Sequence, residues 1–259
     1  MNQPLSQSRL WHWYPVWKRN ALVWRKLAIP ALLGNIGEPL LYLVALGFGL
    51  GALVGNVQGT DYLTFIASGF ICASVMNTAS FEAIYSSYTR MAVQDTWTAM
   101  LYTPLEVEDI LVGEVMWAAT KALLSAVAIL LVAMVLGAVH SWNALWILPL
   151  SLFAGAVFAS MALVMTAIAR SYDFFMYYFT LALTPMFLFG GVFFPLDGMP
   201  PMVQAAAQLL PLTHTIDIIR PLTTGAPIEH LLLHLAVLSL YGVAAYLLAL
   251  RLVRKRLHR

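Results

Sequence analysis

Ionisable residues are scarce in this chain, and the few that interrupt its apolar stretches are where chemistry must be sought. Charged residues make up 10% of the 259 positions and hydrophobic ones 61%. Glu38 stands beside Pro39 inside an apolar run. If a helix begins near Leu27, this carboxylate lies well inside a membrane, where it is costly and must face a bundle interior or a wet cavity. Two readings stay open: a group on a substrate path, or a paired structural group near a proline kink. Glu82 precedes Arg90 by two helical turns at the end of another run, and its head is expected to snorkel to the interface. His230 and His234 are one turn apart, a spacing that can bind a metal, but no third ligand is evident and no metal site is expected. His214 reads as a hydrogen-bonded interface residue. Cys72 is the single cysteine, so no intrachain disulfide can form, and it reads as a small buried hydrophobe.

Several constellations are missing. There is no G-x-x-x-x-G-K-[ST] loop to cradle a nucleotide. There is no H-E-x-x-H and no G-x-S-x-G, and no span carries clustered carboxylates or a His–Asp chain for proton relay. The chain is expected to bind no cofactor of its own. Transport driven by a separate energy source is the leading class. A membrane enzyme acting on lipid-linked sugars is the reading from another class.

The elements that must position these residues are membrane spans. A helix needs roughly 20 apolar residues to cross a hydrocarbon core of about 30 Å. Residues 39–60, 62–81, 122–139, 142–169, 174–196 and 231–250 meet or approach that length, and the polar stretches between them are too short for a second folded domain. The expectation is an all-α membrane protein of six transmembrane helices, one domain over residues 1–259. The opening residues lack a short apolar core with a small-residue cleavage site, so the first span is expected to serve as its own insertion signal. Lys and Arg cluster before the first span (Lys18, Arg19, Arg25, Lys26) and after the last (Arg251, Arg254, Lys255, Arg256). The alternate connections hold only Arg220. The positive-inside rule places both termini in the cytoplasm. The formal charge of +2 makes no case for nucleic acid.

Leu10, Trp13, Tyr14, Trp17, Ala21, Trp24 and Leu27 recur at helical spacing with cations between them, which predicts an amphipathic helix over 8–28 lying at the headgroup level. It reads either as an anchor for the first span or as a lever to a cytoplasmic partner. Gly47, Gly51 and Gly55 form a small-xxx-small face for close helix approach. Between Arg90 and Lys121, Asp95 is placed to cap a short helix whose apolar face is Trp97, Met100 and Leu101 and which stops at Pro104. The acidity of this loop (Asp95, Glu106, Glu108, Asp109, Glu114) disfavours anionic lipid and points to a protein partner. Residues 195–229 are punctuated by Pro195, Pro200, Pro201, Pro211, Pro221 and Pro227. Short helices that dip into the outer leaflet and return are the account that leaves no backbone bare to lipid.

The chain resembles the permease subunits of bacterial type-2 ABC exporters, in particular the NodJ branch that exports lipooligosaccharide nodulation factors. The resemblance rests on the segment from Gly47 to Gly51, Phe81-Glu-Ala through Tyr88-Thr-Arg-Met91, Thr96-Trp-Thr-Ala-Met-Leu-Tyr-Thr-Pro104, Asp109-Ile-Leu-Val-Gly-Glu114 and Trp117-Ala-Ala-Thr-Lys-Ala122. Its strongest element is Gly190-Gly-Val-Phe-Phe-Pro-Leu-Asp197, followed by Leu210-Pro-Leu-Thr-His214 and Arg220-Pro221.

The resemblance implies a bacterial inner-membrane location and a homodimer of permeases on two copies of a separate ABC ATPase, which binds ATP and Mg. It implies that 95–104 is a coupling helix, with Asp95, Thr96, Trp97, Met100, Leu101, Thr103 and Pro104 at the ATPase and Trp97, Met100 and Leu101 filling its groove. It also implies re-entrant outer helices over 197–225, with Phe194, Pro195, Pro200 and Pro211 at an outer gate. The cargo would be an amphiphilic glycolipid entering from membrane lipid; a drug or another lipid is the runner-up. Glu38, Tyr172 and Phe175 are placed on the substrate path, the two aromatics at the start of span five where a sugar headgroup could enter or where rings simply anchor at the interface.

Overall fold

The computed structural model describes residues 11–26 and 28–257, with the backbone alone at 31–33, 35, 36, 38 and 39. The regular structure of the described residues is helical, apart from one hairpin of two two-residue strands. In chain order the helices are α1 (Trp13–Arg25), α2 (Ala28–Gly49), α3 (Gly51–Val54), α4 (Tyr62–Phe81), α5 (Thr96–Leu101), α6 (Val107–Val135), α7 (Ile147–Ile168), α8 (Phe175–Tyr178), α9 (Thr184–Phe189), α10 (Pro201–Ala207), α11 (Pro211–Thr224) and α12 (Leu231–Leu257). Strands β1 (Asn56–Val57) and β2 (Thr60–Asp61) pair antiparallel between α3 and α4. Gln58 and Gly59 turn between them at φ 50° and 79°.

Among the described residues, four helical stretches are long and apolar enough to cross a membrane: Tyr62–Val93, Val107–Val135, Trp142–Ile168 and Leu231–Leu257. The first is the centre of the bundle. Of its most apolar window 89% is buried, against 11% for the last. The sequence of α4 explains this. Ala67, Ser68, Gly69, Cys72, Ala73, Ser74, Ala79 and Ser80 give it small side chains on every face, and all are buried. In lipid, apolar burial gives helices no reason to associate, so close packing of small residues does that work. Cys72 is one of these core residues. Helix α12, by contrast, leaves Leu232, Leu240 and Val243 open to the lipid.

Several boundaries differ from the sequence expectation. Helix α2 begins at Ala28 and runs through Pro39 without interruption, a tolerance common in membrane helices. The hairpin takes over the residues assigned to the end of the first span. There Asp61 caps α4 by accepting from the Thr64 backbone N–H (3.0 Å) and hydroxyl (2.7 Å). Of the Gly47–Gly51–Gly55 face, Gly47 is the close approach: a Cβ there would lie 2.5 Å from Leu63 Cδ1, whereas Gly55 is a turn residue at φ +70°. The stretch assigned to the fifth span is jointed, with a 3₁₀ turn at Tyr172–Phe174, then α8, a π-helical turn at Phe179–Leu183 and α9. Helix α11 continues through Pro221 to Thr224 and ends at Gly225 in the left-handed conformation. Helix α12 runs on to Leu257, past the predicted end. Its Arg256 donates to the carbonyls of Thr166 (3.1 Å), Ala167 (3.1 Å) and Ala169 (2.7 Å), closing the C-terminus of α7.

Helix α1 docks on α6. Val16 is buried over Gly113, where a Cβ would come within 2.5 Å of Val16 Cβ. Trp17 Nε1 donates to Thr120 Oγ1 at 3.0 Å, and Trp17 and Trp24 meet the Trp117 ring edge-on at 6.4 and 5.8 Å. The aromatic stripe therefore faces protein as well as the interface; residues 8–10 and 27 of the predicted element lie outside the described residues. Replacing Gly113 with leucine is expected to lift α1 off α6. Limited trypsin digestion in detergent should then cut at Lys18, Arg19 or Arg25 several times faster than in the wild type, while the spans stay protected. An unchanged cutting rate would contradict the docking.

Candidate functional site

The end of α4 does not stop at Phe81. It continues as two π-helical turns, Glu82–Ser86 and Thr89–Val93. These wider turns bring Glu82, Ser87 and Arg90 onto one side, facing α6. Glu82 and Glu114 are 4% and 1% exposed and Arg90 9%. Each carboxylate oxygen receives two donors. Glu82 Oε1 accepts from Arg90 (2.9 Å) and the Trp117 indole (2.9 Å); Oε2 accepts from Ser86 (2.9 Å) and Lys121 (2.8 Å). Glu114 Oε1 accepts from Arg90 Nε (2.9 Å) and the Trp97 indole (3.2 Å); Oε2 accepts from Ser87 (2.8 Å) and, in a short contact, from the Arg90 guanidinium. A carboxylate has about four acceptor positions, so both groups are saturated as anions, and two cations balance them. Such a cluster specifies geometry more than it adds stability.

The network corrects two sequence expectations. Glu82 does not snorkel; it is buried because Arg90 and Lys121 come to it from two sides. Carboxylates do cluster in the bundle, because α4 and α6 bring together residues that lie far apart in sequence. The signal was present as registers: Glu82, Ser86 and Arg90 at i, i+4, i+8, and Glu114, Trp117 and Lys121 at i, i+3, i+7. Arg19 of α1 feels the cluster too. Burial, and then the positive charge of Arg90, hold its pKa below the usual arginine value, with Glu114 acting the other way.

Helix α5 hangs from this network. Trp97 is fully buried, so it anchors the helix to Glu114 and cannot fill a partner's groove. Met100 and Leu101 are half-buried, packed on the core. The surface left outward includes Asp95, Thr98, Ala99, Tyr102, Thr103 and Pro104, with Tyr102 88% exposed. Asp95 precedes the helix in the left-handed conformation and makes no side-chain cap. The acidic residues of the loop are largely spent internally. Glu108 pairs with Arg254, Asp109 approaches His12 (3.8 Å) and accepts from the Glu106 backbone N–H (2.9 Å), and Glu114 belongs to the buried network. The acidity of this loop therefore carries no argument for a partner.

Between α2, α4 and the jointed segment 175–189 lies a cavity of about 360 Å³. Phe70, Phe179 and Phe187 form apolar walls, while Asn77, Thr78, Thr184 and Lys121 line it with polar atoms. An apolar wall beside a polar stripe in a membrane helix bundle suits an amphiphile: the chain lies on the rings and hydroxyls meet the amides and alcohols. Lys121 joins the cavity to the buried network through its 2.8 Å bond to Glu82.

Residues 13–223 match the family model described as ABC-2 type transporter. The chain belongs to the ABC-2 type transporter family. It is 47% identical over 248 residues to Nodulation protein J of Rhizobium leguminosarum bv. viciae, covering 96% of both chains. It is 43% identical over 247 residues to Nodulation protein J of Rhizobium meliloti, covering 95% of this chain and 94% of the other. A more distant relative is the Inner membrane transport permease YadH of Escherichia coli, 26% identical over 243 residues and 93% of each chain. The NodJ-like resemblance read from the sequence holds over nearly the whole chain.

Within this ABC-2 permease, the residues placed on the substrate path are dispersed. Phe175 is fully buried beneath Tyr85 and Tyr88, at centroid distances of 5.2 Å from each, and cannot touch cargo. Tyr172 shares a 2.7 Å hydroxyl contact with Thr89 and lies outside the cavity walls. These aromatics pack the start of the jointed segment onto the end of α4. The side chain of Glu38 lies outside the described residues, but its position falls one turn from Gly34 and one from Tyr42, which both line the cavity. At the other end, Pro195, Pro200 and Pro211 open successive short helices, and Phe194 is 39% exposed beside Phe193. His214 is indeed a hydrogen-bonded interface residue, tied to His234 at 2.8 Å.

Arg90 is the one cation that touches both carboxylates. Arg90→Leu would leave two buried carboxylates around Lys121 alone, at an expected cost of about 3–5 kcal/mol. Thermal unfolding in detergent should show that loss, and Arg90→Lys should restore only part of it because the fork geometry is gone. A leucine variant as stable as the wild type would contradict the network.

Proposed function

We propose that this chain is the permease subunit of an ATP-driven exporter in the bacterial inner membrane, moving a lipooligosaccharide or similar amphiphile outward. The observation that carries this reading is the membrane-level cavity with rings on one wall and a polar stripe on the other, in a chain so similar to Nodulation protein J. In this reading the spans are six: the four long helices, α2, and the jointed stretch 172–189. The whole of 1–259 is one transmembrane domain with both termini in the cytoplasm, 8–28 as connecting helix, 95–104 as coupling helix and 197–225 as the re-entrant outer segment. Phe194, Pro195, Pro200 and Pro211 belong to the outer gate. Two copies of the chain stand on two copies of a separate ABC ATPase, which holds ATP and Mg; this chain binds neither.

The coupling path follows from the contacts. The ATPase meets the outward face of 95–104, that is Thr98, Ala99, Tyr102, Thr103 and Pro104, together with Asp95, Thr96 and the rims of Met100 and Leu101. Trp97 passes the movement to Glu114, and the carboxylate–guanidinium network passes it to α4 and α6 as a unit. Helix α1 is carried along through Trp17 and Trp117. Lys121 and position 38 sit where the cavity would feel that movement.

Two tests apply. Tyr102→Ala combined with Thr98→Asp should leave insertion and stability intact while lowering transport-coupled ATPase activity of the reconstituted complex at least several-fold; full activity would remove the coupling assignment. The isolated, purified chain should hydrolyse no ATP, and turnover by a clean single-chain sample would refute the division of labour. Glycolipid analysis of cells lacking the gene names the cargo.

A further inference from the structure

A second and larger cavity, of about 510 Å³, lies at the opposite end of the fold from the ion network. Thr64 lines it, and Glu82 is 18 residues further along the same continuous helical stretch, which corresponds to about 27 Å. Its walls come from the hairpin, the loop before α10, α11, and the first turn of α12. The polar groups on it include Gln58, Asp197, Gln208, Asp217, Arg220 and Glu229. The volume falls in the range of ligand sites, roughly 300–1,000 Å³.

The charges on this cavity are not equivalent. Arg220 is spent on the scaffold: it donates to Gly191 O (2.7 Å), Ser68 Oγ (3.1 Å) and Phe65 O (3.4 Å), and its guanidinium lies 3.7 Å from the centroid of the Phe65 ring. It staples α11 to α4 and to the loop. Asp197 accepts from Gln58 Nε2 at 2.8 Å, and Gln58 sits in the left-handed conformation in the hairpin turn. Asp217 lies 4.0 Å from His234, and the positive charge of Arg220 and the His214 ring act on it as well. His234 is in turn bonded to His214, whose Nε2 must carry a proton because its partner is the Gln208 carbonyl, 2.9 Å away. His230 sits at the rim at φ 47°. Two of the three described non-glycine residues with positive φ therefore border this one cavity, and strained backbone gathers where a site is shaped. Three carboxylates, Asp197, Asp217 and Glu229, thus line the volume with amides beside them, against one guanidinium, Arg220, whose hydrogen bonds all go to the scaffold.

We propose that this cavity binds the hydroxyl-rich headgroup of the exported amphiphile on the outer side, and that it accepts neutral or amine-bearing sugars and rejects anionic ones. The inference rests on the export reading for its orientation and cargo class. Carboxylates and amides accept from sugar hydroxyls, and an ammonium gains further from Asp217 and Glu229. A sulfate or carboxylate on the ligand meets like charge between low-dielectric walls. The cavity's walls are bridged by separate elements, so a headgroup held there also holds α11 against α12 and the loop.

The test is equilibrium binding to the permease–ATPase complex in nanodiscs, with three soluble probes: cellotetraose, its amine-bearing glucosamine counterpart and a sulfated counterpart. The expected order is amine-bearing tightest, neutral next, sulfated weakest. Asp217→Asn should weaken the amine-bearing probe about two- to five-fold, the range of a partly exposed ion pair, and leave cellotetraose within two-fold. Glu229→Gln, at an exposed position, should do the same without any risk to folding. Absence of saturable binding, a preference for the sulfated probe, or unchanged affinity in both variants would overturn the inference. Export of native glycolipid by the same wild-type complex is measured in parallel. Export without probe binding sinks this site alone, and probe binding without export sinks the export reading alone.

Discussion

Two carboxylates saturated by donors, deep among apolar helices, constrain everything around them. Glu82 and Glu114 can be charged there only because Arg90, Lys121 and two indoles reach them at hydrogen-bond distance. The donors come from three stretches of chain: Arg90 from the α4 extension, Trp97 from α5, and Trp117 and Lys121 from α6. The π-helical turns of the α4 extension, α5 and α6 are therefore held in one relative arrangement, since moving any of them alone would leave a charge unpaired in a medium that cannot solvate it. Around that point the fold gains a rigid joint, which the proposed coupling through α5 requires.

The rest of the bundle is held mainly by apolar packing. The centre of α4 packs through small residues and two-sided contact, while α12 shows lipid its leucines. The jointed stretch from Tyr172 to Phe189 mixes 3₁₀, α and π turns. It forms one wall of the membrane-level cavity, opposite the continuous helices α2 and α4. A cavity with one continuous side and one broken side can widen by small dihedral changes in the broken side. The end opposite the ion network is built differently again, from short helices each opened by proline, with Arg220 stapling α11 to α4 and to the Gly191 carbonyl.

Much of the architecture was legible in the residues. Apolar length marked four of the six expected spans, and the one expected over 142–169 is the helical stretch Trp142–Ile168. Trp-rich periodicity marked α1, and the prolines marked α10 and α11. The site was less legible. The periodicity of Trp97, Met100 and Leu101 says which residues share a face and not whether that face meets a partner or the chain itself, and Trp97 turns out to be buried in its own fold. Location alone puts Tyr172 and Phe175 near a substrate path, and the stack on Tyr85 and Tyr88 removes Phe175 from it. The sequence neighbours of Glu82 point to the interface, whereas its real neighbours are 35 and 39 residues away, at Trp117 and Lys121.

The sequence by itself determined the class of molecule: a chain so poor in charge can be stable only in lipid, with helices as its spans, because backbone polar groups must satisfy one another there. It also determined kinship, since identities spread over nearly the whole length need no coordinates. Only the tertiary structure decided which charges meet. Pairing among Glu82, Arg90, Glu114 and Lys121 depends on the close approach of α4 and α6 and on the extra residue in each π turn. Neither has a signature in local composition, because both arise from packing between segments far apart along the chain.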